Sequence, residues 1–351
     1  MDNKTANRID NLLLSAEVFS KPSNEDIIPC NFTEEVILIT GAAGSIGSAL
    51  AKQLTNSTYK KLVLVDIAES PLYELIKDLE NQNTLNMEFV ILNITDEASL
   101  KKVFEKYKPT ILFHAAAYKH VPLMESNPFE AVKLNIFGTK LLADLAITFK
   151  VKKFIFISTD KAVNPISIMG LTKLIAEHYL NFLSENKNTK FLITRFGNIL
   201  GSNGSVVPLL KKQIDFNLPL TVTNKEISRY FISKESACAL ILKIAETENS
   251  SNTFTFNMGE PIKIIDLAKR MIHLAKLNEN YPIKITGLRP GEKLNEEIIN
   301  NYEKLNPSKN PDIFIVENSK RKIKPIDFSK LNQMDLALSA KEIKDILYSL
   351  L

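Results

Sequence analysis

The 351 residues include no tryptophan, two cysteines, four histidines and eleven glycines. Cys30 and Cys238 stand alone, with neither the number nor the spacing of a metal cluster or a disulfide framework, which suits a reduced compartment. No apolar run approaches the ~20 residues needed to span a bilayer. The opening residues, MDNKTANRID, are polar where a signal peptide needs an apolar core. These absences point to a cytoplasmic protein with no membrane segment in this chain. The formal net charge of +4 is small for the length, and no dense Lys/Arg stripe stands out. General nucleic-acid binding is thereby disfavoured, while an anionic small molecule remains a fitting partner. The rest of the composition, 45% hydrophobic and 24% charged, is an ordinary globular balance.

Residues 1–33 read as a polar N-terminal arm, partly helical, with one short apolar patch at Leu12–Leu14. From Glu35 a regular alternation begins. VILIT, KLVLVD, MEFVILNI, TILFHAAA, KKFIFIS and KFLITRF are strand-like. SIGSALAKQL, SPLYELIKDLENQ, EASLKKVFEKY, NPFEAVKLNIFGTKLLADLAITF and LTKLIAEHYLNFLSE between them are helical. Short apolar runs alternating with amphipathic helices predict βαβ units and a parallel sheet. The expected fold class is therefore α/β, a Rossmann-type doubly wound sheet over 34–198. After Asn198 the pattern loosens, through the turn GSNGS, a helix holding Pro208 and the polar stretch NYEKLNPSKNPD, to a last helix over 336–351. Residues 199–351 are expected to form a smaller lobe, mainly for substrate binding.

The first strand runs into Gly41-Ala-Ala43-Gly44-Ser45-Ile46-Gly47, and a helix follows. Gly41 permits a tight turn, Gly44 lets backbone approach a pyrophosphate, and Gly47 allows close helix–strand packing. The helix N-terminus adds free N–H groups and a positive dipole end. Asp66 closes the second strand about 20 residues later, where a carboxylate bonds ribose hydroxyls and repels a 2′-phosphate, favouring NAD over NADP. Asn93 and Ile94 end the third strand near the expected adenine. Ala115, Ala116 and Ala117 end the fourth and let the chain lie close to a cofactor; His114 beside them reads as packing. The fifth strand then delivers Thr159, Asp160 and Lys161 to the same edge, and the next helix presents Lys173. An acid and a base beside a cofactor suit proton abstraction next to a carbonyl.

Six segments carry a family likeness: GAAGSIGSAL, HAAAYKHVPLMESNPFEAVKLNIFGT, ISTDKAVNPISIMGLTK, TRFGNILGSNGSVVPLL, SRYF and LRPGEKLNEE. In that order, over roughly 35–300, they resemble the extended short-chain dehydrogenase/reductases. More narrowly they resemble bacterial 4,6-dehydratases acting on UDP-N-acetylglucosamine. The arm RIDNLLL also resembles the segment before the catalytic domain of large membrane-anchored members, so the chain is a soluble form or a fragment.

The resemblance implies a reaction in three steps. Hydride leaves C4 for the cofactor, giving a 4-keto sugar. Water then leaves across C5–C6, and hydride returns to C6. Asp160 is implied as the acid for the C6 hydroxyl and Lys161 as the C5 base. Thr159 bonds the C4 oxygen, and Lys173 bonds the nicotinamide ribose. Met169 stands where the wider superfamily carries a tyrosine, and a thioether cannot act as a base. The C4 proton must leave through Asp160, Lys161, a water or Tyr118. On the nucleotide-sugar side the likeness implies Asn198 at the diphosphate and the loop Gly201–Val206 around the uridine. Arg229 and Arg289 fall to phosphate oxygens, and Glu292 to the uridine ribose. Lys119, His120, Met124 and Met169 are expected near the sugar. Asn135 is expected to fix local backbone through a water, and Cys238 to sit in the core. The product would be a UDP-4-keto-6-deoxy-N-acetylhexosamine with C5 configuration retained, serving surface polysaccharide or glycoconjugate synthesis. A homo-oligomer is expected. The alternatives are a 4-epimerase of the same fold, which needs no acid–base pair at C5–C6, and a non-catalytic cofactor-binding scaffold, whose sole support is Met169.

Overall fold

A computed structural model describes residues 1–15, 29–80, 86–184, 188–248, 250–318, 325–332, 334 and 338–351. Its centre is a nine-stranded sheet. The strands β1 (Asn31–Thr40), β2 (Thr58–Asp66), β3 (Met87–Ile91), β4 (Ile111–His114), β5 (Lys153–Ile157) and β6 (Lys190–Arg195) are parallel and lie in the order 3-2-1-4-5-6. The order reverses between β1 and β4, which opens a crevice at their C-terminal ends. Leu38, Val63, Leu112, Phe154, Phe156 and Ile193 are fully buried. Their near-continuous apolar runs are what a sheet covered on both faces requires.

The chain does not leave this sheet at residue 198. Strand Asn252–Phe256 adds parallel to β6, and the hairpin Glu303–Pro307/Ile313–Asn318 adds antiparallel beyond it. Helix Lys234–Thr247 returns to pack against the helix Ser45–Leu54 that follows the glycine turn. The hairpin lies on the polar stretch that reads as irregular in the sequence. As an edge strand, Glu303–Pro307 has a mostly solvated face and carries little apolar signal. At the other end, β1 begins at Asn31, inside the stretch expected as arm. The last helix is Ala340–Tyr348; positions 336 and 337 lie outside the described residues.

The N-terminal helix α1 (Asn3–Ser15) is docked. Ile9 and Leu13 are fully buried in a cluster with Leu210, Leu267 and Met271, while Arg8 donates to the carbonyls of Met258 and Glu260 and Asp10 pairs with Arg270. The long helical region after residue 127 is interrupted by a π-helical turn, Val132–Gly138. Among the described residues, no helix is long and apolar enough to cross a membrane.

Candidate active site

The glycine turn works by removing side chains. Gly41 has φ +70°, and a Cβ there would fall 2.5 Å from the backbone nitrogen of Ala116. A Cβ on Gly47 would lie 2.1 Å from the Gly41 carbonyl oxygen. The turn therefore presses against both the end of β4 and its own helix. Asp66 completes it: one carboxylate oxygen accepts the N–H of Ala43 and the other that of Ala68, each at 2.9 Å. The result borders a cavity of about 320 Å³, whose walls include Asp66, Asn93, Ile94 and Ala115–Ala117. A glycine cradle with only small side chains at its tip, at a helix N-terminus and with a carboxylate opposite, fits an extended dinucleotide.

A second cavity, about 640 Å³, continues from Gly44–Gly47 past Thr159, Lys161, Met169 and Lys173 to Asn198, Val206, Arg229, Arg289 and Glu292. Lys119, His120 and Tyr118 line it too. Loop 201–205 closes one side, with the Asn203 N–H bonded to Ser45 Oγ at 3.0 Å. The cradle and the reactive segment thus share one crevice.

At the end of β5 the backbone turns sharply. The Thr159 hydroxyl donates to Asp160 Oδ1 at 2.9 Å, and Lys161 Nζ donates to the same oxygen at 2.9 Å and to Asn198 Oδ1 at 3.2 Å. Asp160 is 1% exposed and lies beneath Lys161, outside the residues that line the cavity. Lys173 Nζ donates to the Ile157 carbonyl at 2.7 Å and sits 3.8 Å from the centre of the Phe156 ring. Burial pulls its pKa down to about 7. Burial and neighbouring Lys161 lower Lys119; burial, Lys119 and Arg289 lower His120.

Several expected roles change on this geometry. Met124 is buried among Ile168, Met169 and Leu171 and borders neither cavity. Its place at i+3 from Val121 on a short helix turns it into the core. Arg229 lines the cavity, but its terminal nitrogens already donate to the carbonyls of Ser228, Lys293 and Leu294. It holds the 292–296 loop rather than offering a free fork to phosphate. Glu292 is bound by Arg289, through the backbone N–H and through the guanidinium at 2.9 Å, and against the raising effect of burial these bonds bring its pKa below the usual value. Asn135 fixes backbone directly: its amide takes the Tyr118 N–H and donates to the Tyr118 carbonyl and to Thr172. His114 bonds Thr40 and Thr139 inside the core, and Cys238 is fully buried.

Two features escape sequence reasoning. Glu296 lines the larger cavity with its side chain 4% exposed. Beneath the reactive turn, Ser158 donates to Glu177, which pairs with buried Arg195, which pairs in turn with Glu303. The second had a signal: Glu177 and Arg195 are charges in otherwise apolar helix and strand positions.

A doubly wound sheet with this cradle, and with a lysine one turn into the helix that follows the reactive segment, defines an extended short-chain dehydrogenase/reductase. Within that class the chain belongs to the family described as polysaccharide biosynthesis protein, whose model matches residues 37–318. It is 44% identical over 281 residues to the capsular polysaccharide biosynthesis protein CapD of Staphylococcus aureus, covering 79% of this chain and 47% of that protein. A UDP-N-acetylglucosamine 4,6-dehydratase (inverting) of Campylobacter jejuni serotype O:2 is 36% identical over 274 residues, 76% of this chain and 78% of that one. A UDP-glucose 4-epimerase of Rickettsia rickettsii is 31% identical over 283 residues, 78% and 80%. Among solved structures, Pen from Bacillus thuringiensis superposes with a TM-score of 0.75 at 30% identity, covering 91% of this chain and 98% of that chain. The chain spans about half the length of the first curated relatives it matches.

Proposed function

We propose that this chain is an NAD-dependent 4,6-dehydratase of UDP-N-acetylglucosamine, making a UDP-4-keto-6-deoxy-N-acetylhexosamine with retention at C5 for surface polysaccharide or glycoconjugate synthesis. The observation that carries the reading is Lys161: its amine lines the same cavity as Thr159 and Lys173, next to the cradle, and is bracketed by carboxyl groups. A bound nicotinamide would accept hydride from C4 and return it to C6. The chain's own residues do the rest. Thr159 bonds the C4 oxygen, and Lys173 bonds the ribose and sets the charge near that oxygen. Met169 offers no base, so the C4 proton passes to a titratable group of the same wall or to a water. Once C4 is a ketone the C5 proton is acidic, and Lys161 removes it while a neighbouring carboxyl protonates the C6 hydroxyl. Asp66 favours NAD over NADP by its charge at the ribose. On the nucleotide side, Arg289 lines the cavity with an exposed guanidinium and would meet the diphosphate.

A second reading, 4-epimerisation of a UDP-sugar, is favoured by the epimerase relative. It leaves the Lys161 cluster without a task. Incubation with NAD and UDP-N-acetylglucosamine, followed by proton NMR, separates the two. A 6-methyl signal and a 4-keto (or hydrated keto) product support dehydration; a galacto-configured product with C6 intact overturns it. The stereochemistry at C5 is read from the same spectrum of fresh product.

A further inference from the structure

The acid–base pair of the proposed elimination leans on the neighbouring strand end. The Asp160 N–H donates to the Phe196 carbonyl at 3.0 Å, and Lys161 Nζ donates to Asn198 Oδ1 at 3.2 Å. Gly197 lies between these two supports. Its N–H donates to the Met258 sulfur at 3.1 Å, and a Cβ on it would fall 2.7 Å from the Tyr230 carbonyl oxygen. The tripeptide 196–198 is thereby clamped between Tyr230 and Met258, with Phe196 stacked on Phe256. Met258 is buried, and the chain after it bends through Gly259 at φ +63°.

That bend is held from the N-terminal helix α1. One terminal nitrogen of Arg8 donates to the Glu260 carbonyl at 2.7 Å and the other to the Met258 carbonyl at 2.5 Å, across 250 residues of chain. A Cβ on Gly259 would lie 3.0 Å from the guanidinium carbon, so the glycine lets the fork close on both carbonyls. The fully buried Ile9 and Leu13, at about 1.5–3 kcal/mol each, already seat the helix. The rigid fork adds direction to that attachment.

We propose that Arg8 is a positioning residue for the elimination step. Through the Met258 carbonyl and sulfur it fixes Gly197, and with it the spacing of the Asp160 carboxyl and the Lys161 amine over C5–C6. This rests on the dehydratase reading. Arg8 touches no reacting atom and moves no proton. Without its fork the sulfur acceptor is free to shift, and the backbone carrying Asn198 is released on one side. A misplacement of about 1 Å at reacting groups costs roughly 10²-fold. Hydride removal from C4 depends on the cradle and on Lys173, which hangs from the Ile157 carbonyl, and is spared.

The test compares Arg8→Met, Arg8→Lys, Met258→Leu and Arg270→Met in the full chain, with NAD and UDP-N-acetylglucosamine. Arg8→Met should lower kcat about 10²-fold with KM unchanged. Reduced cofactor should accumulate beyond the wild-type level, because elimination slows and oxidation does not. Arg8→Lys keeps one donor and should recover part of the loss. Met258→Leu keeps the bulk, removes the sulfur acceptor and should show the Arg8→Met pattern. Arg270→Met loosens α1 at its other tether, Asp10, and should lower thermal stability with kcat unchanged. A normal kcat in Met258→Leu overturns the assignment, even where Arg8→Met fails to fold. An equal loss of cofactor reduction, or an equal fall of kcat in Arg270→Met, overturns it too, since either marks general loosening. Amide hydrogen exchange of the cofactor-free protein gives a readout apart from turnover. Peptides covering 196–198 should exchange faster in Arg8→Met than in wild type or Arg270→Met; unchanged protection counts against the brace. If the wild type makes no keto sugar, the dehydratase reading falls and the role in elimination with it, while exchange still reports on the brace. If the wild type turns over and Arg8→Met and Met258→Leu match it, only the assignment falls.

Discussion

The two ends of the crevice are made of different materials. The end proposed for the cofactor is shaped by close backbone: a turn of glycines and small residues, three alanines at the tip of β4 and a helix N-terminus, with Asp66 bracing the turn. The end proposed for the sugar is side chain: Lys161, Lys173, Arg229, Arg289, Glu292 and Glu296, drawn from segments more than a hundred residues apart, with ion pairs running between them. A ligand common to a whole superfamily needs only a shape that tolerates no Cβ. A reaction needs groups that can gain and lose protons, and these are set by neighbours rather than by local sequence.

That contrast can be broken from either side. The largest expected effect is at the sugar end. Lys161→Met should cut dehydration by about 10²–10⁴-fold, while hydride removal from C4, seen as reduced-cofactor absorbance after substrate addition, survives. Loss of both signals would mean that Lys161 is a structural part. At the cofactor end, Gly41→Ala places a Cβ against Ala116 in left-handed backbone and should cost about 2–4 kcal/mol in urea denaturation. It should also abolish NAD binding by calorimetry; an unchanged affinity would refute the cradle. Asp66→Ala removes a charged acceptor, expected to weaken NAD by about 10–100-fold while narrowing the preference over NADP. Equal losses for both nucleotides would show that Asp66 only braces the turn.

A last test is in pH. Burial lowers Lys173 from its ordinary 10.5 to about 7 in the folded chain. The folded state therefore binds this proton less readily than the unfolded one. The stability present above pH 10.5 is lost as pH falls toward about 7, and it changes no further below that. In thermal melts of the cofactor-free proteins, wild type should gain stability relative to Lys173→Met as pH rises from about 7 toward 10.5; parallel curves across that window would mean the amine is solvated.

The sequence makes the cofactor end legible because its parts are contiguous. Periodicity finds β1 to β6, spacing finds the glycine turn, and Asp66 follows at a fixed interval. Thr159, Lys161 and Lys173 are equally readable, since a strand end and one helical turn place them. The edge hairpin is not, because a solvated strand has no apolar alternation to betray it. Arg229 carries the right residue type for phosphate, yet its partners are three carbonyls that only the folded loop brings near. Met124 is misplaced for the converse reason: its turn context suggests a pocket, and tertiary packing claims it for the core. Glu296 sits inside a quoted motif, but nothing local distinguishes it from its exposed neighbours Asn295 and Glu297; its burial comes from packing across to Arg229.

The chain of charges beneath β5 has a mechanical consequence. Ser158 leans on Glu177, Glu177 grips Arg195, and Arg195 reaches Glu303 at the rim of the outermost hairpin. The reactive turn is thus anchored to the far edge of the sheet, more than a hundred residues along the chain. A single guanidinium thus joins the periphery to the residue just before Thr159, so the sheet's rim and the proposed chemistry rest on one foundation.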